Sequence, residues 1–149
     1  MFNSLTPQVV LQEVPGEISL LFTITGCQLN CQGCHSPEIH DETYGEPLSE
    51  LKFESYLNKY QGFITCVLFF GGEWQRGYLT KLLAIAKRYQ FKTCLYSGKD
   101  NLPKQLLSQL DFVKLGQWQA ELGGLNSLTT NQRFIDLKTN CLLNEKFQR

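Results

Sequence analysis

The stretch Gly62-Phe63-Ile64-Thr65-Cys66-Val67-Leu68-Phe69-Phe70-Gly71-Gly72-Glu73, followed by Trp74-Gln75 and the run Arg76 to Tyr89, decides the fold. Its first part is a short apolar run rich in β-formers that stops at two glycines, which is the pattern of a buried strand. In its second part Leu79, Leu82, Leu83, Ile85 and Ala86 recur at helical spacing, which predicts a helix over 76–89. Phe91 to Tyr96 then returns to a β-rich run. A strand, a helix and a strand at these lengths form a parallel βαβ unit, because parallel neighbours need a crossover.

The same alternation extends outward. Upstream, Ile18 to Thr25 reads as a buried strand and Gly26 to Tyr44 as a long polar loop. Pro47 to Tyr60 reads as a helix opened by Pro47, with Leu48, Leu51, Tyr56 and Leu57 sharing one face. Downstream, Asn101 to Leu110 reads as a helix with Pro103 near its start. Asp111 to Leu115 is a fourth strand and Arg133 to Leu137 a fifth. Crossovers are expected to be right-handed. A closed eight-fold barrel of about 250 residues is too large for this chain. The pattern therefore leaves an α/β protein with either an open, mostly parallel sheet or a partial barrel. In both, chemistry gathers at the C-terminal ends of the strands.

The 149 residues fit one domain, 1–149. Fourteen Lys and Arg against 14 Asp and Glu give no basic excess, which argues against a general nucleic-acid binder. Met1 to Val14 carries no Lys or Arg, so it lacks the basic opening of an export signal. The apolar run 18–24 is far shorter than the ~20 residues of a membrane helix. The expectation is a soluble, cytoplasmic protein with no membrane partner.

A cytoplasmic chain leaves its six cysteines to be explained without disulfides. Three fall within eight positions, in Gly26-Cys27-Gln28-Leu29-Asn30-Cys31-Gln32-Gly33-Cys34-His35. Thiolates suit zinc, copper(I) or iron–sulfur clusters. A structural zinc site wants four ligands, usually in two pairs, and no second pair exists. Three close cysteines suit a four-iron cluster with one iron open to an outside ligand. Cys66 and Cys94, inside apolar strands, read as buried free thiols. Cys141 has no assigned role. The loop follows the first strand and Gly71-Gly72-Glu73 follows the second, so the topology brings both to one edge. Two glycines permit close approach of a ligand to the backbone, and Glu73 can accept hydrogen bonds from a ligand ammonium.

The spacing C-x3-C-x2-C resembles that of the radical S-adenosylmethionine superfamily, and Gly71-Gly72-Glu73 resembles its Gly-Gly-Glu motif. Gly33 stands where the superfamily prefers an aromatic residue, and Trp74 where it often has Pro. Within the superfamily the chain resembles the activating proteins of the anaerobic (class III) ribonucleoside-triphosphate reductase. The likeness lies in Val14-Pro15-Gly16 and the strand after it, in Cys31-Gln32-Gly33-Cys34-His35-Ser36, in Gly71-Gly72-Glu73, and in Ser127 to Arg133 with its Asn131-Gln132-Arg133 ending. The lead-in lacks a first Gly and has Glu17 where a basic residue is common. Thr129-Thr130 replaces Gly-Ser.

The resemblance implies a small incomplete (β/α) barrel with a mostly parallel sheet. It implies a [4Fe-4S] cluster on Cys27, Cys31 and Cys34, and S-adenosyl-L-methionine held by Gly33, Cys34, His35, Gly71, Gly72 and Glu73. No side chain is assigned as a catalytic acid or base, since the cofactors carry the chemistry. The implied reaction removes hydrogen from a glycine of the large reductase subunit, with electrons from a reduced flavodoxin-like donor. Rival readings are an activase of another glycyl-radical enzyme, a small deazapurine-forming radical enzyme, and a non-enzymatic zinc or iron–sulfur module. His35 either orients adenine or the cluster edge, or is a plain loop residue. His40 reads as solvent-exposed, and Trp118 as capping the core rather than lining a partner groove.

Overall fold

The computed structural model describes residues 1–26 and 41–148. Two short strands, β1 (Asn3–Ser4) and β2 (Gln8–Val10), precede β3 (Ser19–Thr23). After them come β4 (Glu46–Pro47), α1 (Glu50–Tyr60), β5 (Cys66–Phe70), α2 (Arg76–Arg88), β6 (Lys92–Tyr96), α3 (Lys104–Leu107), β7 (Phe112–Leu115), β8 (Arg133–Asp136) and β9 (Cys141–Leu142). One-turn 3-10 segments lie at Glu73–Gln75 and Asn144–Lys146. A seven-stranded sheet has the order β2-β3-β5-β6-β7-β8-β9, and β1 pairs with β4 in a separate ribbon.

The centre of the sheet, β3-β5-β6-β7, is parallel, as the βαβ reading requires. Its flanks are antiparallel: β2 on β3, and β8 between β7 and β9. Among the described residues the sheet ends at β2 and β9, so no closed barrel forms. β8 runs opposite to β7 because residues 116–132 supply no crossover helix.

Side-chain alternation sorts the strands onto two faces. Leu20, Phe22, Val67, Phe69, Leu95 and Val113 point toward the helices, where Leu79, Leu82, Leu83 and Ala86 of α2 meet them. Phe22, Phe53 and Phe69 form a triangle with centroids 5.1, 5.6 and 5.8 Å apart. Burying each such ring contributes about 2–3 kcal/mol. The opposite face carries Leu21, Cys66, Leu68, Cys94, Phe112 and Phe134. Among the described residues it is covered by Val14, Leu125, Leu143 and Phe147, the last two flanking the 3-10 turn Asn144–Lys146.

The helices correct three expectations. Pro47 does not open α1, for it lies in β4. Ser49 is the cap, its Oγ accepting the Lys52 amide at 3.1 Å. With the start fixed there, Phe53 and Leu57 share the inward face one turn apart and are fully buried, while Leu51 is 81% exposed. Leu48 is buried from outside the helix. Finally, α3 spans one turn, Lys104–Leu107, with Pro103 as its N-terminal cap residue.

Asp111, 4% exposed, ties the N-terminal edge together. It accepts the Thr93 amide at 2.9 Å and pairs with Lys87 at 3.4 Å and Lys138 at 3.1 Å. Burial pushes its pKa up, but the Thr93 amide and the two lysines outweigh it and hold the group below the ordinary 3.8. A depressed carboxylate stabilises the fold above the unfolded value, and that contribution is lost as pH falls through the folded pKa. Asp111→Asn is expected to cost about 1–2 kcal/mol near neutral pH, the outer lysine being mostly solvated. The deficit against wild type should shrink on acidification, which urea melts at pH 7 and pH 3 would show.

Candidate functional site

The four parallel strands deliver their following loops to one edge. Backbone bonds lock these loops side by side: Ile24 N–H to Phe70 O at 2.9 Å, Gly71 N–H to Tyr96 O at 3.1 Å, Ser97 N–H to Lys114 O at 2.8 Å, and Gly116 N–H to Lys99 O at 2.9 Å. Residues 24–26, 71–74, 97–99 and 116 are thus neighbours in space although far apart in sequence.

Cys27, Cys31, Gly33, Cys34, His35 and His40 lie outside the described residues. The two ends of their loop are described, and they meet. The Thr25 amide donates to Asn3 O at 3.0 Å, and the Thr25 hydroxyl reaches Glu42 O at 3.5 Å. A Cβ placed on Gly26 would stand 3.2 Å from Glu42 Cβ. The loop therefore leaves and re-enters the fold through one narrow neck.

Gly71 and Gly72 take φ of +83° and +102°, a left-handed region that favours glycine. A Cβ on Gly71 would lie 2.6 Å from Trp74 Cη2. On Gly72 it would lie 3.3 Å from both Ile24 and Phe2. The sequence suggested that glycine here clears room for a ligand, yet the space over these two residues is filled from within.

Their turn sends Glu73 inward, where it is 7% exposed. Its Oε2 is buried with no hydrogen-bond partner among the described residues. Burial raises its pKa, opposed less strongly by a backbone amide, Lys99, Ser97 and Lys114. A cavity of about 430 Å³ opens beside it, lined by Glu73, Trp74, Arg76, Lys99, Leu102 and Pro103 among others. An unpartnered buried acceptor next to Arg76 and Lys99 suits a zwitterionic ligand: its ammonium can meet Glu73 while its carboxylate meets a basic group. The chemistry of these side chains suits the amino-acid end of such a ligand. Sequence reasoning singled out Glu73 but not Ser97, Lys99 or Leu102, which lie in a polar turn with no motif of their own.

The other motifs fall elsewhere. Val14-Pro15-Gly16 precedes β3 and so lies at the opposite, N-terminal edge, with Val14 buried and Gly16 at φ +79°. Glu17 pairs with Lys92 at 3.1 Å there. Asn131 donates to Gln117 O at 3.0 Å, Gln132 to Gly116 O at 3.4 Å, and Arg133 to Asp100 O at 2.9 Å. This segment braces the loops after β6 and β7. Cys66 and Cys94 are fully buried free thiols; burial pushes Cys66 up to about 12 and Cys94 well above its ordinary value. Thiols held protonated are poor ligands and nucleophiles. Cys141 is exposed. Among the described residues no group of three or more His, Cys, Asp or Glu is placed to hold a metal ion. Trp118 is half-buried. Among the same residues no helix is long and apolar enough to cross a membrane.

A parallel α/β core with a three-cysteine loop and an acidic turn at its C-terminal edge defines a cofactor-binding protein. Residues 14–135 match the family described as the 4Fe-4S single cluster domain, and the chain belongs to that family. Its cofactor is therefore a 4Fe-4S cluster. No curated protein matches the chain.

Proposed function

We propose that the chain is a radical S-adenosylmethionine activase that installs a glycyl radical on the large subunit of the anaerobic ribonucleoside-triphosphate reductase. The observation that carries the reading is Glu73 Oε2, buried without a hydrogen-bond partner among the described residues near the neck of the cysteine loop, in a 4Fe-4S family protein. When bound and reduced by a flavodoxin-like donor, the cluster supplies the electron that cleaves S-adenosylmethionine into methionine and a 5′-deoxyadenosyl radical, which takes hydrogen from a glycine Cα.

The chain's own residues bind and orient. Cys27, Cys31 and Cys34 would hold the cluster and would leave one of its irons open to S-adenosylmethionine. Glu73 accepts the ligand ammonium. Gly33, Cys34 and His35 would contact the ligand, and the turn at Gly71 and Gly72 aims Glu73 at it. Trp74, Leu102 and Pro103 give the cavity an apolar wall that limits water. The open edge above the strands admits a glycine-bearing loop of a partner protein.

The test mixes the anaerobically loaded protein, S-adenosylmethionine, a reductant and the reductase subunit, and looks for a glycyl-radical EPR doublet on the subunit with matching 5′-deoxyadenosine. A fully loaded protein that releases no 5′-deoxyadenosine overturns the reading. Release of 5′-deoxyadenosine with the reductase left unlabelled overturns the assigned partner and points to a sister activase or a small-molecule radical enzyme.

A further inference from the structure

Trp74 lines two cavities, one of which reaches the neck of the cysteine loop. One is the cavity beside Glu73. The other, of about 360 Å³, lies among Phe2, Thr25, Glu42, Thr43 and Gln75. Two positions of missing side chains fix where the indole runs. Its Cη2 is 2.6 Å from the place of a Cβ on Gly71, and its Nε1 is 3.4 Å from the place of a Cβ on Gly26. The ring thus spans from the end of β5 to the residue just before Cys27. Both of those residues are glycines at positive φ, +83° and +98°. A methyl group at Gly71 would collide with the ring, and one at Gly26 would touch it.

We infer that Trp74 is a positioning residue: its indole is the spacer that fixes the neck of the cysteine loop against the Glu73 turn. The inference rests on the reading of Cys27, Cys31 and Cys34 as cluster ligands. Bringing together chain ends that lie many residues apart costs entropy. A rigid ring with two χ angles restrains the neck at small entropic cost of its own. It also sets the separation between Gly26, where the described chain leads into Cys27, and the turn that carries Glu73. A ligand that bridges the open iron and Glu73 needs that separation held to within about half an ångström. Alanine at 74 would merge the two cavities and free the neck, whereas phenylalanine would keep most of the spacer.

The test uses the full chain, loaded with iron and sulfide under anaerobic conditions, as wild type, Trp74→Ala, Trp74→Phe and Cys31→Ala. Iron loss to a chelator is timed beside the thermal melt of each apo protein. Trp74→Ala is expected to lose iron about 10-fold faster or more, with Trp74→Phe in between. The S-adenosylmethionine-induced change in the reduced cluster's EPR signal should be lost in Trp74→Ala and kept in Trp74→Phe. The emission of Trp74, taken as wild type minus Trp74→Phe, should be largely quenched on loading. Wild-type iron retention and an unaltered EPR response in Trp74→Ala, with an unchanged melt, overturn the inference. So does Trp74 emission that ignores the cluster, a readout that stands even where Trp74→Ala fails to fold. Iron bound equally by Cys31→Ala would instead overturn the ligand reading beneath it.

Discussion

Cys31→Ala is expected to yield a folded, colourless protein that releases no 5′-deoxyadenosine. The two halves of this result have separate causes. Both faces of the sheet close over cores that include the described residues Phe22, Phe69, Leu83, Phe112 and Phe134. The apo variant should therefore melt as cooperatively as apo wild type. The cluster, by contrast, has few substitutes for the lost thiolate. Cys66 and Cys94 are buried on the strands with their thiols held protonated, and Cys141 follows β8 at the far, N-terminal edge. Two remaining thiolates are one short of the set that leaves a single iron open. Iron and sulfide content after anaerobic reconstitution, with product analysis, checks the prediction. Full cluster content with normal 5′-deoxyadenosine release would sink it and the ligand assignment together.

Glu73→Gln separates binding from loading. The cluster should assemble normally, since Glu73 follows β5 and is no part of the cysteine loop. Affinity for S-adenosylmethionine should fall by about 3 kcal/mol, roughly 150-fold, because a buried ammonium would face a neutral amide instead of a carboxylate. The apo fold should respond the other way. Burial raises the Glu73 pKa above its ordinary 4.5, so the folded state holds the proton more tightly than the unfolded chain. A raised carboxylate gives its full stabilisation below the unfolded value and loses it as pH rises through the folded pKa. Apo wild type should therefore lose stability through that window, while Glu73→Gln should not, leaving the variant the more stable of the two at neutral pH. Bound ligand should reverse the order, since its ammonium favours the charged carboxylate. Melts at pH 4.5 and 7.5, with and without S-adenosylmethionine, test all of this. A variant that binds the ligand as wild type does would remove Glu73 from the site.

The same burial explains what the sequence could and could not convey. The apolar stripe of α2 was legible residue by residue, because five side chains repeat at helical spacing and all are buried. The parallel centre followed from it. The start of α1 was not legible, because Pro47 and Ser49 both signal a beginning and only the pairing of β1 with β4 decides between them. β1, β4 and β9 are two residues long, too short to carry a period. The pairing of Gly71-Gly72-Glu73 with the neck of the cysteine loop was legible from topology alone. The occupant of the glycine space was not: Trp74, Phe2 and Ile24 converge there from three separate segments. Ser97 and Lys99 likewise join the site only through backbone bonds to Lys114 and Gly116.

The parallel centre has a last consequence, for the order of assembly. Ser19 pairs with Cys66, and Cys66 with Lys92, so every neighbouring pair closes across a long excursion of chain. Such sheets form late and as a whole. The edge that gathers residues 24–26, 71–74, 97–99 and 116 does not exist until they have formed. Unlike a zinc finger, whose metal drives folding, this chain must finish its architecture before iron has an address. Loading the cluster is expected to follow folding, so the apo protein should already melt cooperatively.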